Sequence, residues 1–274
     1  MSRNSTTPSA TGSPIDDIAY LARSDHRVPM LVALTVRPRS RAELWEMTGV
    51  SSSTIRRTLR EFEDRRWIRR NGYQYEATRL GAYAASAMAN LIERLETERK
   101  LRDVWHWLPG EDSGFTIDMC ADAVVTVADA DDPYRPVSRF ASLLEGTDRF
   151  RFVGFDVALF EPCKEELCRR VTDGMRTEII DPPRVANYIR STCPELFSET
   201  LASGNLTVRL HDELPPYGVG LFDRRIAISG YDPDGVTVRV LIDTDDPGAR
   251  EWANSVYESY RRTTPTIPLE TIVE

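Results

Sequence analysis

The stretch that decides the fold runs from Arg41 to Thr78, RAELWEMTGVSSSTIRRTLREFEDRRWIRRNGYQYEAT. Leu44, Met47 and Val50 recur at near-helical spacing with Trp45 alongside, which predicts a first helix. Gly49 stands where the chain must turn, because glycine takes positive φ without steric cost. The serine run Ser51, Ser52, Ser53 then offers an N-cap. In the second helix Ile55, Leu59 and Phe62 fall at i, i+4, i+7 and face inward, leaving Thr54, Arg56, Arg57 and Arg60 outward. Behind it, Trp67 to Tyr75 places two short strand-like runs around Asn71-Gly72. That dipeptide is the strongest short-range hairpin signal, with both turn residues expected at positive φ.

The order of helix, turn, arginine-bearing helix and wing resembles the winged helix-turn-helix domains of prokaryotic transcription regulators. The resemblance implies double-stranded DNA as the partner. It places Ser51, Ser52, Ser53, Thr54, Arg56, Arg57 and Arg60 on the reading helix, and Arg69, Arg70 and Gln74 on the wing. The charge pattern agrees. From Arg39 to Arg79 there are ten arginines and six acids, +4, in a chain of net charge −8, so the remainder carries −12. A basic module on an acidic chain points to a polyanion partner for that module alone. Lys100 and Lys164 are the two lysines, and aspartate is abundant. This composition resembles proteins of salt-loving archaea.

At 274 residues the chain is long for one domain and comfortable for two. It holds no run of 18 apolar residues, so no membrane partner is expected. The polar start MSRNSTTPSATGSP lacks a signal-peptide core, and a cytoplasmic location follows as an expectation. Residues 1–13 read as a disordered tail, 14–79 as the winged domain, 80–110 as a connector, 111–262 as a second domain and 263–274 as a loose tail. Ile15 to Ala22 reads as a helix capped by Ser13 with Pro14 at its first position. Val28 to Val36 is a second helix that Pro38 ends. Leu80 to Leu101 is a long helix whose apolar face carries Met88, Leu91, Ile92 and Leu95. In winged-helix regulators this helix commonly pairs subunits, so a homodimer is implied; packing on its own chain is the alternative. Trp105 and Trp107 are expected to anchor the connector to a domain.

From Glu111 onward strands alternate with helices. Strands are expected at 123–128, 151–155, 176–180, 206–210, 218–222, 225–229 and 236–242, and helices at 137–144, 159–171, 183–201 and 247–262. The fold class is therefore an α+β winged helix domain followed by an α/β domain with a mixed sheet. Leu206 to Ile242 resembles the second half of a phospholipase-D-like fold, as in the effector domain of sugar-responsive archaeal TrmB-type regulators. A similar middle domain occurs in archaeal methanogenesis-type winged-helix regulators. The active enzymes need His-x-Lys-x-x-x-x-Asp. Anchored on Asp223, Pro216 stands in the histidine position and Gly218 in the lysine position, so the copy is degenerate and lacks the nucleophile. His26, His106 and His211 are scattered, and no metal, cofactor or catalytic residue is expected. The four cysteines, Cys120, Cys163, Cys168 and Cys193, make no CxxC pair and read as reduced structural thiols.

A sheet that has lost catalytic groups can keep a cleft at its strand C-terminal ends. Those ends carry Asp129, Asp156, Asp181, His211 and Asp243, with Tyr217 and Arg225 nearby. Singly, each aspartate is more readily a solvated loop acid; as a group they are the candidate site for a small-molecule effector. The function expected is a dimeric DNA-binding transcription regulator with a sensing C-terminal domain. The rivals are a winged-helix protein-interaction module and a degenerate phosphodiesterase-like enzyme.

Overall fold

The computed structural model describes residues 13–154, 157–232 and 237–264. Its contacts divide the chain between Leu95 and Glu96 into two units. The expected tails lie outside the described residues, apart from Ser13, Thr263 and Thr264.

The first unit begins with α1 (Pro14–Ala22), where Ser13 and Asp16 form a reciprocal capping box and Pro14 opens the helix. Then come α2 (Arg27–Val36), β1 (Arg39–Ser40), α3 (Arg41–Thr48), α4 (Ser52–Asp64), β2 (Ile68–Asn71) and β3 (Gln74–Ala77). Ser40 and Glu43 cap α3 reciprocally. The Ser40 backbone N–H and the Arg37 guanidinium together hold the Glu43 carboxyl down to about 2. Gly49 ends α3 at φ 66, in the left-handed region. Ile55, Leu59 and Phe62 are buried, as their spacing requires. In α3 only Leu44 is buried; Met47, at the same near-helical spacing, is 40 % exposed and Trp45 51 %.

The wing differs from its sequence reading in two ways. It has a third strand: β1 pairs antiparallel with β3, with Ser40 opposite Gln74, in the order β1-β3-β2. The hairpin loop is Gly72-Tyr73, because Asn71 is itself paired with Gln74. Gly72 has φ 60 and Tyr73 is not at positive φ. That is the glycine-first pattern of a type II′ turn, so one left-handed residue suffices.

The long helix α5 (Arg79–Leu101) follows. It starts on Thr78, whose hydroxyl accepts from Gly81 N at 3.1 Å and donates to Arg66 O at 2.7 Å. Gly81 sits so close to the wing that a Cβ there would lie 1.8 Å from the Trp67 carbonyl oxygen. Backbone cannot yield as a side chain would. Gly81→Ala is therefore expected to destabilise the first unit by about 1–3 kcal/mol or more, the range of overpacked sites. Ser86→Ala, on the same helix, serves as comparator. Equal melting temperatures of the two variants would refute this close approach.

The second unit opens with three short 3-10 turns, Trp105–Trp107, Glu111–Ser113 and Ile117–Cys120. Trp105 and Trp107 pack on its core, as the anchoring role requires. There follow β4 (Val124–Val127), α6 (Arg135–Glu145), β5 (Arg149–Val153), α7 (Val157–Thr172), β6 (Arg176–Asp181), α8 (Pro183–Thr192), α9 (Pro194–Ala202), β7 (Leu206–Leu210), β8 (Tyr217–Leu221), β9 (Ile226–Tyr231), β10 (Val238–Thr244) and α10 (Pro247–Thr263). The expected single helix over 183–201 is two. Pro194 supplies no N–H and drives the preceding residue out of the helical region, and Cys193 indeed has φ −134, ψ 53.

The seven strands form one mixed sheet in the order β4-β10-β9-β8-β5-β6-β7. β5, β6 and β7 are parallel, and the other pairings are antiparallel. One face packs against α6 to α9 through Phe140, Phe150, Phe152 and Leu159. The other packs against α10 through Val153, Ile180, Ile242 and Tyr257.

Candidate nucleic-acid interface

The inner side of α4 is fixed by Ile55, Thr58, Leu59 and Phe62, all buried. His26 Nε2 meets the Thr58 hydroxyl at 3.3 Å and braces the same side. The opposite side is therefore committed to solvent. Ser52, Ser53, Arg56, Arg57 and Arg60 are exposed there, and Thr54 is half-buried. Ser51 is the N-cap, its hydroxyl accepting from Thr54 N at 3.3 Å. The first turn thus presents free N–H groups and a partial positive charge beside three serines, a setting suited to phosphate oxygens.

An open cleft of about 530 Å³ lies between α3 and α4, lined by Arg41, Trp45, Ser52, Ser53 and Arg56 among others. Arg41 and Trp45 were not expected there from the sequence. Trp45 is one position, about 100° of helix turn, past the buried Leu44, so the helical count already placed it outward. Arg41 donates to the Tyr75 hydroxyl at 2.8 and 3.2 Å, which ties α3 to the wing.

The wing candidates do not share one face. Strand alternation puts Arg69 and Gln74 on one side and Arg70 on the other, with Tyr75. Arg69 is matched by Glu76 at 2.6 Å, and Arg70 Nε donates to Gly72 O at 2.8 Å. The tip residue Tyr73 is 89 % exposed and was not anticipated.

The effector candidates of the second unit do not converge. In a mixed sheet the strand C-terminal ends point both ways. Asp181, His211 and Tyr217 lie at one end, Arg225 and Asp243 at the opposite end. Even at the first end they divide. Asp181 is buried under α7 to α9, whereas His211 packs against Tyr260 of α10 with ring centroids 5.2 Å apart, and Tyr217 joins the α10-side core. Asp129 turns to Arg135 at 3.1 Å, and Asp156 lies outside the described residues. Asp243 is fully buried between Arg139 and Arg225, so it serves the fold. The enclosed cavity that Asp181 lines is about 30 Å³, room for two or three waters, against roughly 300–1,000 Å³ for a drug-sized ligand.

Asp223, the residue that anchors the sequence resemblance to the phosphodiesterase-like pattern, accepts the backbone N–H groups of Asp148 at 2.7 Å and Arg149 at 3.1 Å. Its carboxylate joins the start of β5 to the β8–β9 turn. All four cysteines are free, and burial pushes the Cys120 and Cys163 thiols up to about 12 and raises that of Cys168. Such thiols are poor nucleophiles.

Residues 133–263 match the family model of the middle domain of the methanogenesis regulatory protein FilR1, and residues 15–100 match that of the HVO_A0261 N-terminal domain. The second unit is thus similar to a domain of a regulatory protein. No curated protein matches the chain. Among solved structures, the archaeal chromatin protein TrmBL2 is 13 % identical over 92 % of this chain and 99 % of its own, with a TM-score of 0.43. The phosphatidylserine synthase of Haemophilus influenzae Rd KW20 is 14 % identical over 53 % of this chain and 39 % of its own, TM-score 0.40. Among the described residues no helix is long and apolar enough to cross a membrane.

Proposed function

We propose that this chain is a DNA-binding transcription regulator that acts as a homodimer, with a second unit that binds a small-molecule effector. The observation that carries the reading is α4, whose buried stripe commits Ser52, Ser53, Arg56, Arg57 and Arg60 to solvent beside the Arg41–Trp45 cleft and the wing. The net positive charge of that stretch supports it, as does the similarity of the second unit to a methanogenesis regulator's middle domain. The binding rather than catalytic role of the second unit rests on Pro216 and Gly218 standing where a nucleophilic histidine and its lysine would be needed.

Dimerisation rests on α5. Its apolar face starts at the buried Met88 and continues into Leu91, 41 % exposed, Ile92, 39 %, and Leu95, 52 %. A helical stripe of large apolar residues left open to water fits a second copy of the same stripe. α5 also runs through the division between the units, so it is the covalent route by which an effector would bias DNA binding. Light scattering should report a dimer for the natural chain and a folded monomer for Leu91→Asp with Leu95→Asp. A dimer that survives both changes removes α5 from the interface. Mobility-shift titration against the DNA upstream of the protein's own gene tests the central claim. Binding no tighter than to unrelated DNA, at any salt, would favour the protein-interaction reading instead.

A further inference from the structure

The α10-facing side of β5, β6 and β7 is unlike the rest of its unit. Parallel register sets Arg149 opposite Arg176 and Arg151 opposite Glu178, and Arg209 lies on the same face as Ile180 opposite it. With Glu258 and Arg261 of α10 as a wall, these residues line an open groove of about 840 Å³. Five arginines and two glutamates face it, in a segment, residues 96–274, that holds 20 Arg and Lys against 33 Asp and Glu.

Three of the arginines are held in place by the protein. Arg151 donates to Asn254 at 2.7 Å and lies 5.0 Å from the centre of the Tyr257 ring. Arg209 donates to Glu178 at 3.1 Å and to Thr264 O at 2.9 Å. Arg261 meets Glu258 at 2.8 Å. Arg149 and Arg176 differ: both are exposed, and neither forms an ion pair with a described residue. Like charges directly opposite on neighbouring strands disfavour a sheet. An anion bridging the two guanidinium forks would reverse that sign, since adjacent strands lie about 4.8 Å apart and arginine binds oxyanions in bidentate fashion.

We infer that this groove is the effector site and that its ligand is a small multivalent oxyanion, phosphate- or carboxylate-bearing, clamped by Arg149 and Arg176. The inference rests on the effector reading above and gives that effector its chemical class. A small anion fits better than the DNA backbone. The net negative charge of residues 96–274 repels a long polyanion, whereas a compact ligand sits within about a Debye length of the five arginines. The groove is also of the size that holds small ligands.

The test is thermal melting of the full chain with added pyrophosphate or citrate, ionic strength being balanced with sodium chloride. Melting temperature should rise saturably with one or both anions and not with chloride, because a ligand that binds only the folded state stabilises it by mass action. Pyrophosphate alone would mark the ligand as phosphate-bearing, citrate alone as carboxylate-bearing. Arg149→Gln with Arg176→Gln should keep its circular dichroism, melt no lower than the natural chain without anion, and lose at least ten-fold in apparent anion affinity. Arg135→Gln, outside the groove, should change nothing. No saturable rise with either anion, or a rise retained by the double variant, overturns the proposal. So does a double variant that loses DNA affinity with a shallower salt dependence, which would assign the arginines to the DNA backbone. Since melting is read without DNA, failure here is distinct from failure of the regulator reading.

Discussion

Asp243→Ala is expected to lower the stability of the second unit by about 3 kcal/mol and its melting temperature by roughly 6–12 °C. Asp243 is fully buried near the end of β10. It accepts both prongs of the Arg139 fork, Nε at 2.9 Å and Nη2 at 2.8 Å, and also Arg225 Nε. Arg225 Nη2 donates in turn to the Asp243 carbonyl at 3.0 Å. One carboxylate thus joins α6, β10 and the β8–β9 turn. Its removal leaves two guanidinium groups facing each other, Arg139 without its carboxylate and Arg225 with the exposed Asp245 at 3.8 Å. Their side chains are 33 % and 26 % exposed, so water screens part of that repulsion and the low end of the buried-pair range applies. Arg135→Ala breaks an ion pair exposed on both sides, with Asp129, and it should cost less than about 1 kcal/mol. Denaturant unfolding of both variants measures the contrast. Equal small losses would mean that the buried triad contributes no more than a surface pair.

Asp243 also shows where sequence reasoning stopped. Periods and caps are local, so α1, α4 and the β2–β3 hairpin were legible from Ser13, Pro14, Ile55, Leu59, Phe62 and Gly72. The strands of the second unit were legible as runs, and Leu206 to Leu210 falls as expected. Strand direction is not local. In the sequence Asp181, His211, Tyr217, Arg225 and Asp243 all stand at or beside strand ends, but antiparallel pairing sends Arg225 and Asp243 to the opposite end of the sheet. The same non-locality hid the Arg149–Arg176 pair, which only parallel register brings together. β1 escaped because two residues carry no period, and their pairing with β3 spans the whole helix-turn-helix. The Cys193-Pro194 break was readable from proline's missing N–H and from its steric effect on the residue before it.

Arg56→Ala is expected to weaken binding to the specific operator by about 1–3 kcal/mol, roughly five- to 150-fold, if its guanidinium is bidentate to a guanine. The prediction separates three arginines that the sequence left equivalent. Arg56 lines the cleft with Ser52, Ser53, Arg41 and Trp45, near the N-terminal end of α4, the part of a reading helix that meets base edges. Arg60 is one turn further along the same stripe. Arg57 stands about 100° round the helix, on the side of His26, whose proton affinity it lowers, after burial and Arg27. Arg57 and Arg60 are thus placed for phosphates. Arg57→Ala and Arg60→Ala should weaken operator and scrambled DNA alike and reduce the slope of log K against log salt by about one each. Arg56→Ala should instead lower the ratio of the two affinities. All three side chains are exposed, so melting temperatures should stay within the small range of surface changes, and altered binding can be read as lost contact. Anisotropy titrations on both DNAs over several salt concentrations give slope and ratio together. If operator affinity is unchanged in all three variants, α4 does not enter the groove, and its outward face serves another partner.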